Sequence, residues 1–370
     1  MRVLHFYKTY YPDTMGGVEQ FIFQLARGGR SHGIDSTVLS LSQNADDKVV
    51  QMDGHKACRA KTNFEIASTP FSISCFRKFA ALAKEADVIH YQFPFPFMDV
   101  VHFATQVNKP TVVSYQSDII RQKNLLKVYS PLKNKFLASV DRIVTTSPNY
   151  LETSDVLKRY SDKVSVIPIG LDKASYPAPT EDKLNYWNAL FSGRFFLFVG
   201  VLRYYKGLHI LVEAAQGSNY PIVIVGAGPI EAELKAQATK LGLTNIIFLG
   251  LLPDEDKVVL LTLCYGVIFP SHLRSEAFGI SLLEGAMFGK PMISSEIGTG
   301  TTFINIVDET GIVVPPSDPV ALRQAMTYLW EHPERAAEMG RNAEARYWKY
   351  FTAEDMVNAY AKLYRELAQK

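Results

Sequence analysis

The sequence from residue 276 to residue 291, Glu-Ala-Phe-Gly-Ile-Ser-Leu-Leu-Glu-Gly-Ala-Met-Phe-Gly-Lys-Pro, lies between two short apolar runs, Gly266–Phe269 and Met292–Ser294. The two runs have the length and the branched, apolar composition of buried strands. Between them, residues from Ser281 to Phe288 have helical spacing of apolar positions, and a glycine and a proline follow where a helix would end. Strand, helix and strand in this order predict a crossover between parallel strands.

The same alternation extends over the whole chain. Strands are predicted in the first half at Val3–Tyr7, Ser36–Leu41, Val88–Tyr91, Thr111–Ser114 and Ile143–Thr146, with helices at Glu19–His32, Phe76–Glu85 and Leu125–Val140. The pattern then starts again, with strands at Phe195–Val199, Ile222–Val225, Ile246–Leu249, Gly266–Phe269 and Met292–Ser294. Helices alternate with this second set at Leu208–Gln216, Ile230–Leu241, Asp254–Cys264, Ser281–Phe288 and Pro319–Glu331. Two sets of alternating strands and helices predict two doubly wound, Rossmann-like α/β domains.

A proline-containing segment separates the two sets. Pro168-Ile169-Gly170-Leu171-Asp172 and Tyr176-Pro177-Ala178-Pro179 suit a stiff, non-helical crossing. We therefore place an N-terminal domain at residues 1–170 and a C-terminal domain at residues 171–352, with ligands expected in a cleft at the carboxyl ends of the strands. A final amphipathic helix is predicted at Ala353–Ala368.

Composition limits the classes of function. The chain has 370 residues, 47% of them hydrophobic and 21% charged, and a net charge of +2, which gives no support for nucleic-acid binding. Residues 1–170 carry a net +6 and the remainder a net −4. The basic half favours an anionic partner, such as a membrane surface or a phosphate-bearing acceptor, although an ordinary uneven distribution explains it too.

The chain shows no signal for secretion, membrane insertion or structural metal. The three cysteines are far apart in the sequence, the first residues lack a leader pattern, and the most apolar segment, Val258 to Phe269, is too short to span a bilayer. We expect a cytoplasmic protein, with peripheral contact at the inner face of the plasma membrane as an alternative.

Three glycine-containing turns follow predicted strands. Gly16-Gly17 opens the first helix, where free N–H groups can meet a phosphate, although a plain tight turn explains the pair as well. Gly226-Ala227-Gly228-Pro229 resembles part of a dinucleotide-binding fingerprint but lacks its third glycine, which disfavours a dehydrogenase. Between them, Arg203 and Lys206 follow a strand and could hold a pyrophosphate, or form an exposed basic loop.

The segment from Glu276 to Glu284 is the most informative of these motifs. Its helix start can offer N–H groups to a diphosphate, while Glu276 and Glu284 can bind hydroxyl groups of a sugar and a ribose. The chain resembles glycosyltransferase family 4 of the GT-B superfold. The resemblance rests on the two glutamates followed by Gly289-Lys290-Pro291, on the Lys206-Gly207 loop and on the early glycine pair.

The resemblance covers nearly the whole chain, and residues 10–20 resemble bacterial surface-polysaccharide enzymes, several of them mannosyltransferases. It implies donor-phosphate contacts at Gly16 and Gly17 and charge pairing with the diphosphate at Arg203 and Lys206. It also implies sugar contacts at Glu276, backbone contacts at Phe278, Gly279 and Ile280, and ribose binding at Glu284. Members of this fold return their last helix to the N-terminal domain, so residues 353–370 are assigned there.

Two positions depart from the family. Val201 stands where relatives carry an arginine, so Arg203 is the substitute that we consider. Gln116-Ser117-Asp118 stands where many relatives have a histidine, and Gln116 is expected to orient a sugar, with Asp118 as a second anchor. A glutamine cannot act as a general base near neutral pH, and it could also simply cap the strand's loop.

A metal site is not expected. Asp254-Glu255-Asp256 matches the metal-binding Asp-x-Asp pattern of another glycosyltransferase fold, but its place at a helix start favours a cap. The resemblance implies that basic residues replace the metal, with Lys206, Arg203 and Glu276 as the catalytic residues and no cofactor.

The resemblance thus implies a retaining, metal-independent hexosyltransferase of lipopolysaccharide-type surface-polysaccharide synthesis, with GDP-mannose as favoured donor and a saccharide or lipid-linked acceptor. The alternatives are a GT-B sugar-nucleotide epimerase and a catalytically silent nucleotide-sugar-binding partner. A basic segment with interleaved apolar residues could dock on an anionic membrane, or be an ordinary exposed helix; its residues are Arg121, Lys123, Leu125, Leu126, Lys127, Tyr129, Lys133, Lys135 and Phe136.

Overall fold

A computed structural model describes residues 1–14, 16–45, 48–119 and 123–369, with only the backbone described at residues 123–125. The chain divides into two compact units. One consists of Met1–Gly170 together with Ala353–Lys370, and the other consists of Leu171–Thr352. The break after Gly170 falls in the proline-containing crossing of the sequence.

The first unit contains an eight-stranded sheet in the order β10-β9-β8-β7-β1-β2-β4-β3. Its strands are β1 (Arg2–Phe6), β2 (Asp35–Ser42), β3 (Val50–Met52), β4 (His55–Lys61), β7 (Val88–Phe93), β8 (Thr111–Tyr115), β9 (Arg142–Thr145) and β10 (Val164–Val166). All neighbouring strands are parallel except β3 and β4. A separate hairpin pairs β5 (Phe64–Ile66) with β6 (Thr69–Phe71). The carboxyl ends of the central strands therefore meet at one edge.

Helices cover this sheet and connect its strands. They are α1 (Gly17–Gly29), α2 (Ile73–Glu85), α3 (Pro96–Ala104), α4 (Lys123–Ser139), α5 (Pro148–Thr153), α6 (Asp155–Arg159) and α15 (Ala353–Ala368). The final helix, α15, packs against α1, where a Cβ atom on Gly28 would lie 2.6 Å from Val357 Cγ2. A side chain at residue 28 would clash there, so a glycine allows α15 to approach α1 closely.

The second unit contains a six-stranded parallel sheet in the order β13-β12-β11-β14-β15-β16. Its strands are β11 (Phe196–Val199), β12 (Ile222–Val225), β13 (Ile246–Gly250), β14 (Gly266–Phe269), β15 (Met292–Ser295) and β16 (Gly311–Val314). Its helices are α7 (Glu181–Phe191), α8 (Leu208–Ala214), α9 (Glu231–Lys240), α10 (Asp254–Leu263), α11 (Ile280–Met287), α12 (Thr301–Ile304), α13 (Pro319–Glu331) and α14 (Pro333–Tyr350). Apolar clusters bury the central strands on both faces, as parallel sheets require.

The prediction of two Rossmann-like units is confirmed, but the periodicity missed several elements. The longest is α14, whose buried positions include Ala336, Gly340 and Ala343. These small residues pack closely but give a weak apolar signal in the sequence. The hairpin of β5 and β6 and the edge strand β16 were also missed, since each has only three or four residues.

The basic segment predicted as a membrane-surface helix forms α4, but its aromatic residues face the protein. Phe136 is fully buried, and the Tyr129 hydroxyl donates a hydrogen bond to the buried carboxylate of Asp99. These two rings cannot enter a bilayer while α4 remains packed, so their assignment to a membrane contact is wrong.

Arg121 lies outside the described residues, as do the side chains of Lys123 and Leu125. Among the residues that the structure does describe, no helix has both the length and the apolar character needed to cross a membrane.

His5 makes the stability of the first unit depend on pH. Its ring is fully buried, 5.1 Å from the ring of His90, and neither ring nitrogen has a hydrogen-bond partner among the described residues. Burial, aided by His55, lowers the pKa of His5 to about 3. In an unfolded chain the pKa of a histidine is about 6.5, which is higher than the pKa of His5 in the folded protein. The stability that the neutral ring contributes is therefore complete above the unfolded-state pKa, and it is lost as pH falls from there towards the folded-state pKa.

We expect His5→Phe to flatten the pH dependence of the unfolding free energy. The phenyl ring keeps the shape and removes the titrating group, so about 2 kcal/mol of the loss between about pH 7 and about pH 5 should disappear. Urea unfolding of the wild type and variant across this range measures the difference. Parallel curves for the two proteins would contradict the assignment.

Candidate functional site

An ion pair between Lys206 and Glu276 joins two loops at the carboxyl edge of the second sheet. Lys206 follows β11 and Glu276 follows β14, and each side chain is only 11% exposed. Glu276 Oε2 contacts Lys206 Nζ and accepts a hydrogen bond from Ser271 at 3.3 Å. The other oxygen, Oε1, has no hydrogen-bond partner among the described residues. The pair leaves this oxygen available to a ligand hydroxyl.

Close backbone contacts fix the two loops relative to each other. Gly207 has φ +71°, and a Cβ atom there would lie 2.0 Å from the carbonyl oxygen of Pro270. His272 donates its backbone N–H to Tyr205 at 3.0 Å, and its Nε2 lies 3.1 Å from the carbonyl oxygen of Tyr204. Glycine is required at position 207 because the backbone has a positive φ there and because a side chain would clash with Pro270. Together these contacts hold Lys206 beside Glu276.

The start of α11 lies beside the loop that follows β11. Gly279 has φ +100° and precedes the first residue of the helix, Ile280. The first intrahelical bond at this end is donated by the backbone N–H of Leu283, so earlier N–H groups of the helix are available to a ligand. A Cβ atom on Gly200 would lie 3.9 Å from Ser281 Oγ, which places the two elements in contact. An anion here would meet both backbone N–H groups and the positive end of the helix dipole.

Phe278 has a packing role in this region. Its side chain is buried, and its ring lies 6.1 Å from that of Phe351. A Cβ atom on Gly300 would lie 2.5 Å from the Phe278 ring, and the Gly300 N–H donates to the Ala277 carbonyl at 2.9 Å. The Phe278 side chain therefore has a packing role, and the donor contact that the family resemblance implies at this residue stays a prediction for its backbone.

Gly226 and Gly228 allow two loops to pack backbone to backbone. A Cβ atom on Gly226 would lie 2.0 Å from the Gly200 carbonyl oxygen, and one on Gly228 would lie 2.3 Å from that of Leu202. The Leu202 N–H donates to the carbonyl of Ala227 at 3.0 Å. The glycine motif therefore supports the loop that carries Lys206.

Glu284 lies within α11, and its side chain is 5% exposed. Its Oε1 accepts hydrogen bonds from Tyr176 at 2.9 Å and from Lys257 at 3.1 Å. Burial alone would lower the pKa of Lys257, but the carboxylates of Glu284 and Asp254 together raise it. Lys257 therefore stays charged. Among the described residues Glu284 Oε2 has no partner, which leaves one carboxylate oxygen for a ligand.

Arg203 does not join this arrangement. Its side chain is exposed, with no hydrogen bond or ion pair to the described part of the chain, and Val201 is also exposed. The structure therefore brings Lys206, Glu276 and the start of α11 together, and leaves Arg203 outside the group.

The Asp-x-Asp sequence is engaged by cations of the protein. Asp256 accepts from Lys183 at 2.5 Å and from Trp187 at 2.9 Å, and the bond from Lys183 is the main cause of its lowered pKa. Asp254 pairs with Lys257 at 2.9 Å. Within the described ranges no three potential metal ligands are grouped.

Gly16 and Gly17 begin α1 in the first unit, beside a carboxylate. Glu19 is 8% exposed, and its Oε1 accepts from Thr9 at 2.8 Å and from Thr14 at 2.9 Å. A Cβ atom on Gly16 would lie 2.6 Å from Glu19 Oε2. A negative charge at this helix start repels a phosphate, which weighs against the phosphate contact that the resemblance implies there.

Gln116 and Asp118 follow β8 at the carboxyl edge of the first sheet, and both are tied to that sheet. Gln116 Nε2 donates to Gln92 Oε1 at 2.8 Å. Asp118 Oδ1 accepts from the hydroxyl groups of Tyr115 at 2.9 Å and Ser154 at 2.8 Å. Asp118 thus has a structural role in binding its own loop.

Several residues that complete these arrangements were missed in the sequence; they are Glu19, Gln92, Tyr176, Lys257 and Ser271. Glu19 lies close to the Gly16-Gly17 pair, and Ser271 lies close to the segment from Glu276 to Glu284, so both could have been found from the sequence. Lys257 and Gln92 reach their partners only through tertiary contacts, for which the sequence gives no spacing signal.

Two family models match the chain, one in each half. "Glycosyltransferase Family 4" matches residues 15–175, and "Glycosyl transferases group 1" matches residues 189–346. The D-rhamnosyltransferase WbpZ of Pseudomonas aeruginosa is 64% identical over 353 residues, which cover 95% of this chain and 93% of that protein. The O-antigen chain mannosyltransferase C of Escherichia coli is 50% identical over 369 residues, which cover 100% and 99% of the two chains.

Solved structures share the fold. The sucrose-phosphate synthase of Thermosynechococcus elongatus superposes with a TM-score of 0.83 at 22% identity, covering 99% of this chain and 98% of that one. Anabaena HepE in complex with UDP and glucose gives a TM-score of 0.78 at 21% identity, covering 99% of each chain. At these identities the likeness establishes the GT-B fold and no further property.

Proposed function

The chain belongs to glycosyltransferase family 4, and from this premise we propose that it transfers a hexose of the mannose configuration from a GDP-sugar to a saccharide acceptor during O-antigen synthesis. The observation that supports this most strongly is the high identity to two enzymes over nearly the full length, a D-rhamnosyltransferase and an O-antigen mannosyltransferase. D-Rhamnose is 6-deoxymannose, so both names describe the same ring configuration. The higher identity to the D-rhamnosyltransferase makes GDP-D-rhamnose the first candidate, with GDP-mannose as the second.

In the proposed site the second unit binds the donor. Lys206 and the N–H groups at the start of α11 hold the diphosphate, Glu284 Oε2 accepts from a ribose hydroxyl, and Glu276 Oε1 accepts from a sugar hydroxyl. Glu276 and Glu284 each already use one oxygen within the protein, which orients the other. Both carboxylates therefore meet the donor without reorganisation.

The proposed reaction retains configuration and gives an α-linkage. The bond between the anomeric carbon and the diphosphate oxygen breaks while the acceptor oxygen forms the new bond on the same face. The acceptor proton passes to the departing diphosphate oxygen, so no protein base is needed. Lys206 and the positive end of α11 stabilise the charge that develops on the diphosphate.

The proposed acceptor is a saccharide carried on a lipid, and the proposed place of action is the cytoplasmic face of the plasma membrane. The net charge of +6 over residues 1–170 supports an anionic acceptor or surface for the first unit. With Tyr129 and Phe136 packed into the protein, this attraction is proposed to be electrostatic.

A donor panel tests the proposal. The wild type should be stabilised against heating by GDP and its sugars more than by UDP-glucose, and should release GDP when an O-antigen saccharide is added. NMR of the product should show an α-linkage. Formation of an epimer without transfer would establish the epimerase alternative, and binding without any turnover would establish the silent partner.

We expect kcat/KM for GDP-D-rhamnose and GDP-mannose to reveal how the site treats the 6-hydroxyl group. An apolar pocket at that position should separate the two donors by no more than about 10²-fold, because a hydroxyl is only weakly rejected there. A site that binds the hydroxyl should reject the deoxy donor by about 10⁴-fold. Competition between the two donors, measured in one reaction, gives the ratio directly.

EDTA should leave the rate unchanged, since basic residues of the protein are proposed to balance the diphosphate charge. The measurement compares initial rates before and after chelation, with and without added Mn²⁺. A rate that is lost on chelation and restored by Mn²⁺ would identify a metal-dependent reaction and make Asp254 and Asp256 candidates as ligands.

A further inference from the structure

A chain of hydrogen bonds in the first unit runs from the C-terminal helix to the carboxyl end of β8. We call it the His90 chain; its members are Tyr360, Tyr364, Ser114, His90, Gln92 and Gln116. Gln116 is half-buried, and every other member is no more than 2% exposed. With water excluded from most of the chain, each donor must meet an acceptor inside the protein.

His90 is the centre of this chain. Its Nδ1 lies 2.7 Å from the Tyr364 hydroxyl, and its Nε2 lies 2.8 Å from Ser114 Oγ and 3.3 Å from the amide nitrogen of Gln92. Ser114 Oγ lies in turn 2.7 Å from the hydroxyl of Tyr360. The two tyrosines belong to α15, so the last helix of the chain holds this ring.

The contacts determine which nitrogen of His90 carries the proton. Burial, together with His5, lowers the pKa of His90 well below its ordinary value, so the ring is neutral near pH 7. An amide nitrogen can only donate, so the nitrogen that faces Gln92 must be the unprotonated Nε2. The proton is therefore on Nδ1, which donates to the oxygen of Tyr364.

Both glutamine amides have the orientation that this tautomer requires. Gln92 uses its amide nitrogen on His90 and turns its carbonyl Oε1 towards Gln116, whose Nε2 donates to it at 2.8 Å. Gln116 Oε1 is left without a partner among the described residues, at the carboxyl end of β8. The opposite tautomer of His90 would reverse both amides and present the amide nitrogen of Gln116 instead.

We propose that His90 and Gln92 are positioning residues that fix Gln116 as a hydrogen-bond acceptor for a hydroxyl group of the reacting sugars. The inference rests on the proposed function, because it needs a saccharide at this edge of the sheet. Neither His90 nor Gln92 touches the sugar; they act by excluding the amide orientation in which Gln116 would donate. The C-terminal helix, through Tyr364, thereby contributes to sugar selection.

A double-mutant cycle separates positioning from folding. Gln92→Met keeps the side-chain length and removes the acceptor for Gln116, so kcat/KM for transfer should fall about tenfold, the scale of a lost hydrogen bond. In a Gln116→Ala background the same change should cost less than about twofold, because the group that it positions is absent. The melting temperature should fall in both backgrounds, by less in Gln116→Ala because the bond between the two glutamines is already absent there, and GDP affinity should not change. An equal loss of kcat/KM in both backgrounds would overturn the proposal.

A second double-mutant cycle tests the C-terminal helix. Tyr364→Phe should lower kcat/KM about as much as Gln92→Met does, and this loss should likewise shrink in the Gln116→Ala background. Tyr347→Phe is the matched control, because it also removes a buried tyrosine hydroxyl, one that donates to the Leu171 carbonyl at 2.9 Å, outside the His90 chain. This control should leave kcat/KM unchanged. A loss in the control as large as that of Tyr364→Phe would overturn the role of the C-terminal helix.

The tautomer can be read without activity. In ¹⁵N-histidine NMR of the wild type, His90, identified by its change in Tyr364→Phe, should show a protonated Nδ1 and an unprotonated Nε2. A protonated Nε2 in a protein that transfers sugar would overturn only the positioning proposal. Absence of transfer by the wild type with every donor would overturn the proposed function, and the positioning role with it.

Discussion

We expect Lys206→Ala to lower kcat roughly 10²–10³-fold, the scale for removing one electrostatic stabiliser of a developing charge. Lys206 is only 11% exposed and lies over the ring of Phe269 at 4.7 Å, so its charge acts where little water screens it. The effect should appear in kcat more than in KM, because the diphosphate gains charge as the bond to the sugar breaks. Steady-state kinetics with saturating donor measure both values.

The ion pair with Glu276 requires a control for this experiment. Removing Lys206 leaves the Glu276 carboxylate without its counterion in a nearly buried position, which can destabilise the loop. The double variant Lys206→Ala with Glu276→Gln removes both charges and should recover the melting temperature, while its kcat should stay well below that of Glu276→Gln alone. A kcat equal to that of Glu276→Gln alone would mean that Lys206 acts through the fold alone.

Arg203→Ala is the matched cation variant, because Arg203 belongs to the same loop but is exposed and outside the ion pair. We expect near-normal activity. A loss as large as that of Lys206→Ala would show that Arg203 moves onto the diphosphate when the donor binds, and takes the place of the arginine that is absent at Val201.

Glu284→Ala should weaken binding of GDP about 10–100-fold, since a hydrogen bond to a charged group is lost. It should also lower the free energy of unfolding by about 2–3 kcal/mol, because Lys257 loses one of its two carboxylate partners in a mostly buried position. Isothermal titration with GDP and urea unfolding measure the two effects separately.

Glu276→Ala is the comparison for Glu284→Ala. It should leave GDP affinity unchanged and lower kcat, because its free oxygen is proposed to meet the sugar and not the nucleotide. Glu284→Gln keeps the shape and the acceptor for Tyr176, and should bind GDP better than Glu284→Ala does. An equal loss of GDP affinity in Glu276→Ala and Glu284→Ala would contradict both assignments.

The fold was predictable because its central strands and most of the helices that cover them repeat a regular apolar pattern. A short window of sequence is enough to recognise the strand at Phe196–Val199, and the same holds for the helix that contains Glu284. The 18-residue helix α14 was not predictable in this way, because most of its positions are polar or charged and only Met339 and Tyr347 among its buried residues are large. A helix with so few large apolar side chains gives little indication of burial in the sequence.

The residues proposed to contact the donor were partly predictable. The sequence indicated Lys206, Glu276, Gly279 and Glu284 through their places after strands and at a helix start. It could not show that Arg203 is exposed. The exposure of a side chain depends on neighbours that are distant in the sequence.

The sequence by itself determined the two α/β units and the segments that carry the candidate site, because strand and helix periodicity and glycine turns are local properties. The GT-B fold and the glycosyltransferase family were indicated by the resemblance of its motifs to that family. Tertiary structure alone decided which carboxylate oxygens remain free, which cations are paired, and which way the Gln116 amide points. Those properties depend on contacts such as Lys257 with Glu284, and Tyr364 with His90, whose partners are 27 and 274 residues apart. No local pattern encodes such pairs, since only the folded chain brings them within hydrogen-bond distance.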